Sequence, residues 1–474
     1  MRISICLFLL LFLFSDIEAQ TEATLQYQWR DTTGIDIGRR NQRYNEVWGL
    51  SQNGREYAVI GSTMGTHFID ISDPDTLIEV DFIRGKFFGS GVVHRDFHDY
   101  EGYLYAVCDQ GNSSLQVIDL QYLPDSVVLV HEDTVNISRS HNVFVDSATA
   151  KMYTCGVRAP GVSGRIPAQV WSLENPKEPT LIKNIDQIEG LPVGYVHDLY
   201  ARNDTVFLNA GNQGLFIAHF IIPDSPQILG TLLNYPEKGY NHSGWWNETG
   251  EYYFMADETH GRDMKVVDVR DISSPRVANV FEAESDPEGS VPHNLIVKNN
   301  RVYVSYYYDG LQVFDFSDDG DICRSYDYAT TELMPVRGGF SGAWGVYPLL
   351  PSDRVLVSDM QNGLFVLRIP EDQEPSSYNG MGTPPCVIVR NEEESFGQSE
   401  LRFIHSARDQ IYRLEGQRLE GNLRIWDATG RQHFDSFAEN QSFFDVPIHL
   451  LSKGMYFMSY DTPHDQHIFK FYVH

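Results

Sequence analysis

An all-β fold is predicted by the sequence: a seven-bladed β-propeller followed by a small C-terminal antiparallel β-sandwich. Three observations predict it. A strand-like phrase recurs seven times, each recurrence sits in a unit of four short strand-like runs, and the two ends of the repeat region are ragged in complementary ways.

The recurring phrase reads GTHFIDISDP (65–74), SLQVIDL (114–120), PAQVWSLENP (167–176), GLFIAHF (214–220), DMKVVDV (263–269), GLQVFDF (310–316) and GLFVLRI (363–369). Aligned on its closing column, the anchors are Asp70, Asp119, Ser172, His219, Asp268, Asp315 and Arg368, spaced 49, 53, 47, 49, 47 and 53 residues apart. A period near 50 without helical patterning marks a solenoid, propeller or array.

The unit around residue 260 shows the four runs: YNHSGWWNE, EYYFMAD, DMKVVDVRD and PRVANVFEAE. Turn-forming residues separate them, at Asn247-Glu248-Thr249-Gly250, Gly261-Arg262-Asp263 and Ser273-Ser274-Pro275. Four antiparallel strands at this period make a propeller blade. The last unit has three strands (340–369) and lacks a fourth, whereas Thr24–Trp29 is a strand without a unit. The N-terminal strand is therefore expected to complete the last blade, which removes an exposed sheet edge.

Composition agrees. Hydrophobic residues make up 42% and aromatics 13%, with 26 Tyr and 27 Phe, side chains that suit a pleated, half-buried surface. The net charge of −29 repels phosphate backbones and argues against a nucleic-acid partner. Residues 1–19 carry Arg2, an apolar run from Ile3 to Phe14, and Ile17-Glu18-Ala19 before Gln20. The run is short for a membrane span and fits a signal peptide, so the expected product is secreted or on the cell surface, exported through the periplasm, with no transmembrane helix in the mature chain. Export permits disulfides. Cys108 and Cys155 lie in apolar strand runs and read as buried thiols, while Cys323 and Cys386 are a candidate bridge.

These repeats resemble the LVIVD-repeat propellers, and the region as a whole resembles the choice-of-anchor B family of exported bacterial proteins. The likeness is carried by 55–74, 196–217, 255–269, 291–315 and 343–367, for example VPHNLIVKNNRVYVSYYYDGLQVFD. It implies a shared propeller with interchangeable C-terminal anchors and no assigned activity. The third unit departs from the pattern, with an insertion at Arg158–Arg165 and Ser172 in the Asp column. That insertion is a candidate specificity element.

The propeller spans 20–370. Residues 371–395, rich in Pro, Glu, Ser and Gly, read as a linker. Residues 396–474 are again strand-like. LRIWDATGRQ, LLSKGMYFMSY and IFKFYV resemble a type A sorting domain of the type IX secretion system, which implies the type IX secretion machinery as a partner, in a Bacteroidota-like bacterium. The Pro-Asn-Pro usual at the start of such domains is missing, and the chain ends in His474 rather than a basic residue.

The first strand of each unit, nearest the propeller axis, opens with a polar pair: Asn45-Glu46, Arg95-Asp96, His141-Asn142, His197-Asp198, His242-Ser243, His293-Asn294 and Ser341-Gly342. His141, His197, His242 and His293 can converge at one mouth of the channel. Neutral imidazole is the commonest metal ligand, so these four are candidate ligands for a divalent metal ion. The competing reading is that histidines at a repeat position satisfy backbone groups between blades. Glu46, Arg95, Asp96 and Asp198 are candidate ligand-binding residues at the channel rim. A second cluster, Asp257, Glu258 and His260, can bind a cation or form a turn. The stretch FDFSDDGD (314–321) resembles the start of a calcium loop but lacks its closing Glu, and reads as a turn. Trp245, Trp246, Tyr306, Tyr307 and Tyr308 either stack on sugars or pack between blades.

No nucleophile elbow, phosphate-cradling loop or dinucleotide fingerprint is present. The sequence therefore favours a non-enzymatic binding module whose partner is an unidentified protein, glycan or small molecule. The alternative is a metal-dependent hydrolase or lyase with the channel histidines as ligands and Glu46, Asp96 or Asp198 as base.

Overall fold

The structure is a computed structural model. It describes residues 23–73, 76–283, 289–369 and 383, and in the C-terminal part 402–406, 411–427, 431–447, 451–452, 454–462 and 466–473. The leader expected over 1–19, nearly all of the 371–395 linker and Cys386 lie outside the described residues.

Seven four-stranded antiparallel sheets follow one another along the chain. Their first strands are Tyr44–Gln52, Arg95–Tyr100, Asn142–Asp146, Asp198–Arg202, Asn241–Trp246, Asn294–Lys298 and Ala343–Tyr347. Each of these strands packs against its counterpart in the next sheet, and Tyr44–Gln52 packs against Ala343–Tyr347. The sheets are thus blades and the chain is a seven-bladed β-propeller. In the seventh blade Thr24–Trp29 pairs antiparallel with Gly363–Arg368, Thr24 opposite Arg368 and Trp29 opposite Leu364. The orphan strand and the truncated unit are two parts of one sheet.

The core lies between blades rather than within one. Second and third strands are buried almost throughout, while the outer fourth strands are half-exposed. One apolar cluster joins Phe207, Leu215 and Ile217 of the fourth blade to Tyr253, Met255 and Val267 of the fifth, and the Phe207 and Tyr253 rings stack at 4.4 Å. Alternation along the strands supplies an apolar layer to each flank, and each flank is buried by a neighbouring blade.

The Asp column has a local cause. Asp70, Asp119 and Asp268 each accept a hydrogen bond from the backbone N–H two residues on, at 2.9, 2.9 and 3.1 Å. This Asx turn ends the third strand and starts the return. Ser172 does the same in the third blade, its hydroxyl accepting from Glu174 N at 3.2 Å. The departure from Asp therefore preserves the turn. The 314–321 stretch also forms a turn, closed by Gly320 N to Ser317 O and Ser317 N to Asp321 O.

Cys108 and Cys155 are buried free thiols. Cys323 is disulfide-bonded. In the C-terminal part, Arg402–Ser406, Ile411–Asp427, Gly454–Asp461 and Gln466–Val473 form an antiparallel sheet in that order, with Gln432–Asp445 on the other edge of Ile411–Asp427. Leu414, Leu423, Ile425, Met458 and Tyr460 are among its core residues. Among the described residues no helix is long and apolar enough to cross a membrane.

Candidate functional site

The two faces of the propeller differ in chain length spent on them. Turns from first to second strand, such as Asn53-Gly54 and Asn203-Asp204, are tight. The connections between blades, including 186–197 and 329–342, and those from second to third strand emerge on the opposite face. The first strands begin at this long-loop face, so the residues at their N-terminal ends surround the mouth of the channel.

Six aromatic rings, one from each of blades two to seven, close that end. His94 and His141 stack at 4.2 Å between centroids, His141 and His197 lie at 4.1 Å, His197 and His242 at 3.9 Å, and His242 and His293 at 4.6 Å. Trp344 completes the circle, 4.3 Å from His293 and 5.6 Å from His94. The backbone orients the imidazoles: His197 Nδ1 donates to the His242 carbonyl at 3.2 Å and His293 Nδ1 to the Trp344 carbonyl at 2.5 Å. Burial holds His94, His197 and His242 well below the usual imidazole range and His293 at about 3. These four rings are neutral at physiological pH.

Below the rings, all seven blades contribute to a second tier: Glu46, Asp96, Asn142, Asp198, Ser243, Asn294 and Gly345. A third tier lies two residues further along each strand: Trp48, His98, Phe144, Tyr200, Trp245, Ile296 and Tyr347. The two-residue period of a strand makes these tiers. Members of the second and third line a cavity of about 60 Å³, room for on the order of four waters. Third-tier rings touch in sequence, Trp48 with His98 at 4.3 Å and Tyr200 with Trp245 at 4.8 Å.

The second-tier carboxyls are held by short bonds. Asn294 Nδ2 donates to Glu46 Oε2 at 2.6 Å, Val143 N to Asp96 Oδ2 at 2.7 Å, and Leu199 N to Asp198 Oδ1 at 2.8 Å. Burial pushes Glu46 up to about 8 and Asp198 to about 7, and lifts Asp96 well above the carboxylate range. These groups keep their protons far more readily than free carboxyls.

Three of the axis-facing side chains sit in β-bulges. The register shifts between Tyr44 and Val47, between Asn241 and Ser243, and between Ala343 and Val346. Glu46, His242 and the Trp344-Gly345 pair lie within these shifts. A bulge re-aims a side chain, and here each turns a residue toward the axis.

Around the mouth, Tyr195, Tyr240 and Phe340 are half-buried, and Arg40 and Arg165 are exposed. Arg40 stands over the Phe340 ring at 4.9 Å and Arg165 over Tyr195 at 5.4 Å. Arg165 also reaches Asp109, which accepts from His141 at 3.0 Å. Glu258 accepts from the Tyr307 hydroxyl at 2.6 Å and lies 3.7 Å from His242 Nε2.

The four predicted histidines are therefore brought together, and Glu46, Asp96 and Asp198 face the channel, but beneath the rings rather than at the rim. On that side they cannot serve as bases for a substrate held at the mouth. Arg95 does not line the channel. It is buried between blades, donating to the carbonyls of Ser62 and Phe87 at 2.8 Å each. His94, one residue earlier, takes the ring position. In the last blade Trp344-Gly345 stands where Ser341-Gly342 was expected. Asp257 is fully buried in an ion pair with Lys265 at 2.9 Å, and pins the loop before it through Gly239 N and Tyr235. It is structural. His260 packs on Phe340 at 5.2 Å. Tyr306, Tyr307 and Tyr308 are buried and Trp245 and Trp246 half-buried, so these aromatics pack between elements. The sequence signal for His94 was present in the parallel between VVHRD and YVHD, hidden by one extra residue.

No family model matches the sequence, and no curated protein does. Among solved structures the chain is similar to one titled "Crystal structure of RRP9 WD40 repeats", with a TM-score of 0.50 and 10% sequence identity, over 74% of this chain and 99% of that one. At this identity the likeness speaks for the propeller fold alone.

Proposed function

We propose that this chain is an exported, surface-associated binding propeller that takes its ligand at the long-loop mouth of the channel. One observation carries the reading: half-buried Tyr195, Tyr240 and Phe340 and the guanidinium groups of Arg40 and Arg165 converge over a floor of neutral imidazoles. Flat apolar faces beside cationic groups suit a ligand with a ring face and an anionic substituent, as on an acidic sugar. A propeller supplies a rigid frame for such loops, while the site rather than the fold sets the function.

The leader-like run Ile3–Phe14 supports export, and the resemblance of 396–474 to a type A sorting domain supports passage through the type IX machinery. In a type IX-competent host, the secreted chain is expected to begin at Gln20, and deletion of 396–474 to retain it in the periplasm. Mouth binding is tested on an array of acidic and neutral glycans with wild type, Tyr240→Ala and Arg165→Ala. Binding to acidic members that drops about tenfold in either variant, with the circular dichroism unchanged, supports the reading. Equal binding by all three proteins, or none by wild type, removes it.

A further inference from the structure

The wall of the mouth brings a carboxylate to two ring imidazoles. His197, His242 and Glu258 each offer one ligand atom, and these atoms all lie within 4.8 Å of one another. Two of the three side chains are buried and Glu258 is half-buried. His197 and His242 come from neighbouring first strands, where the blade repeat places them side by side. Glu258 comes from the end of the second strand of His242's own blade, Tyr252–Asp257.

His197 and Glu258 are each set up as a ligand by a second contact. His197 Nδ1–H donates to the His242 carbonyl, which leaves the lone pair on Nε2. His242 Nδ1 is buried with no hydrogen-bond partner among the described residues, and its Nε2 lies 3.7 Å from Glu258 Oε2, too far for a hydrogen bond. The Tyr307 hydroxyl holds Glu258 Oε1, leaving Oε2 facing the imidazoles. Outer hydrogen bonds of this kind, here on His197 and Glu258, orient ligands in metal sites.

The distances fit a small ion. Ligands about 2.0–2.1 Å from a tetrahedral zinc stand roughly 3.4 Å apart. The His242–Glu258 separation is 3.7 Å, and the other pairs, all within 4.8 Å, need to draw in by at most about 1.4 Å to reach that spacing. Two imidazole nitrogens and one carboxylate oxygen are a zinc ligand set that leaves a position open.

We propose that His197, His242 and Glu258 bind one zinc ion at the long-loop end of the channel, with a coordination position open to the mouth. This site replaces the four-histidine set expected from the sequence: His141 is paired with Asp109, and His293 lies beyond His242 on the ring. The inference rests on these side chains and not on which ligand the mouth takes.

The test uses the full chain, stripped with chelator, then titrated with zinc by calorimetry and with cobalt by visible absorption. Wild type is expected to take up one ion per chain and to give the d–d bands of a four- or five-coordinate cobalt site. Glu258→Gln keeps the shape and the Tyr307 contact, and is expected to weaken zinc at least tenfold without changing the melting transition. Tyr307→Phe should weaken it less, and His260→Ala should leave it unchanged. Absence of saturable zinc uptake, uptake by Glu258→Gln equal to wild type, or loss in His260→Ala overturns the site. The glycan array, run with and without chelator, reports on the mouth separately.

Discussion

Gly345 leaves the space that Glu46 fills. A Cβ built on Gly345 would stand 1.8 Å from Glu46 Oε1 and 2.9 Å from the Val47 backbone nitrogen. The seventh blade thus contributes no side chain to the second tier, and the first blade's carboxyl occupies the vacated sector. Gly345→Ala is expected to cost about 1–3 kcal/mol through overpacking, read as a lowered denaturant midpoint. In a Glu46→Ala background the same change should cost less. A double-mutant cycle with no coupling between the two positions would contradict the packing described.

Lys265 and Asp257 form an ion pair with both side chains fully buried. Removing one partner strands the other charge away from water, which costs about 3–5 kcal/mol. Lys265→Met is therefore expected to destabilise the propeller strongly in urea unfolding. Lys265→Met combined with Asp257→Leu should recover part of that loss, because no unpaired charge remains.

Stability should peak in mildly acidic solution, measured as melting temperature against pH with chelator present. Burial raises the folded-state pKa of Glu46 to about 8 and lifts Asp96 well above its ordinary value, with the Glu46 charge adding to the effect. A raised carboxyl pKa gives stability that is fully present below the unfolded value of about 4 and is lost as pH rises toward about 8. His94 acts in the opposite sense: burial and His141 depress it, so its contribution fades as pH falls below about 6.5. Above about pH 6.5 only the carboxyls act, and the melting temperature should fall from there toward pH 8.5. Glu46→Gln should flatten that limb.

Thr24–Trp29 closes the ring by covering Gly363–Arg368. A chain starting after Trp29 exposes that strand edge, and it is expected to self-associate in sedimentation and to melt less cooperatively. Returning the strand as a free peptide should restore monomers in part. A truncated chain that stays monomeric with an unchanged transition would show that closure is carried elsewhere.

Much of the fold was legible because its causes are local. Period-two alternation, turn residues and the Asx-turn Asp each act within a few residues, so Asp70, Asp119 and Asp268 marked their strand ends directly. The site was legible in part. His141, His197, His242 and His293 stood out by type and repeat position. Alignment by pairs puts Arg95 at the channel because it cannot see the extra residue after His94. Asp257 and Glu258 are adjacent in sequence, yet one is buried against Lys265 and the other meets His242. No property of the dipeptide distinguishes them.

By itself, then, the sequence determined the blade, the number of blades and the way the ends meet, since these follow from short-range periodicity repeated along the chain. Tertiary structure alone decided which side chains face the axis. That choice depends on bulges at Glu46, His242 and Trp344-Gly345, and on how each neighbouring blade fills the space beside them. A single-residue shift in a strand turns a side chain to the other face, so the imidazole ring, the buried carboxyls and the Glu258 contact appear only once all seven blades are packed.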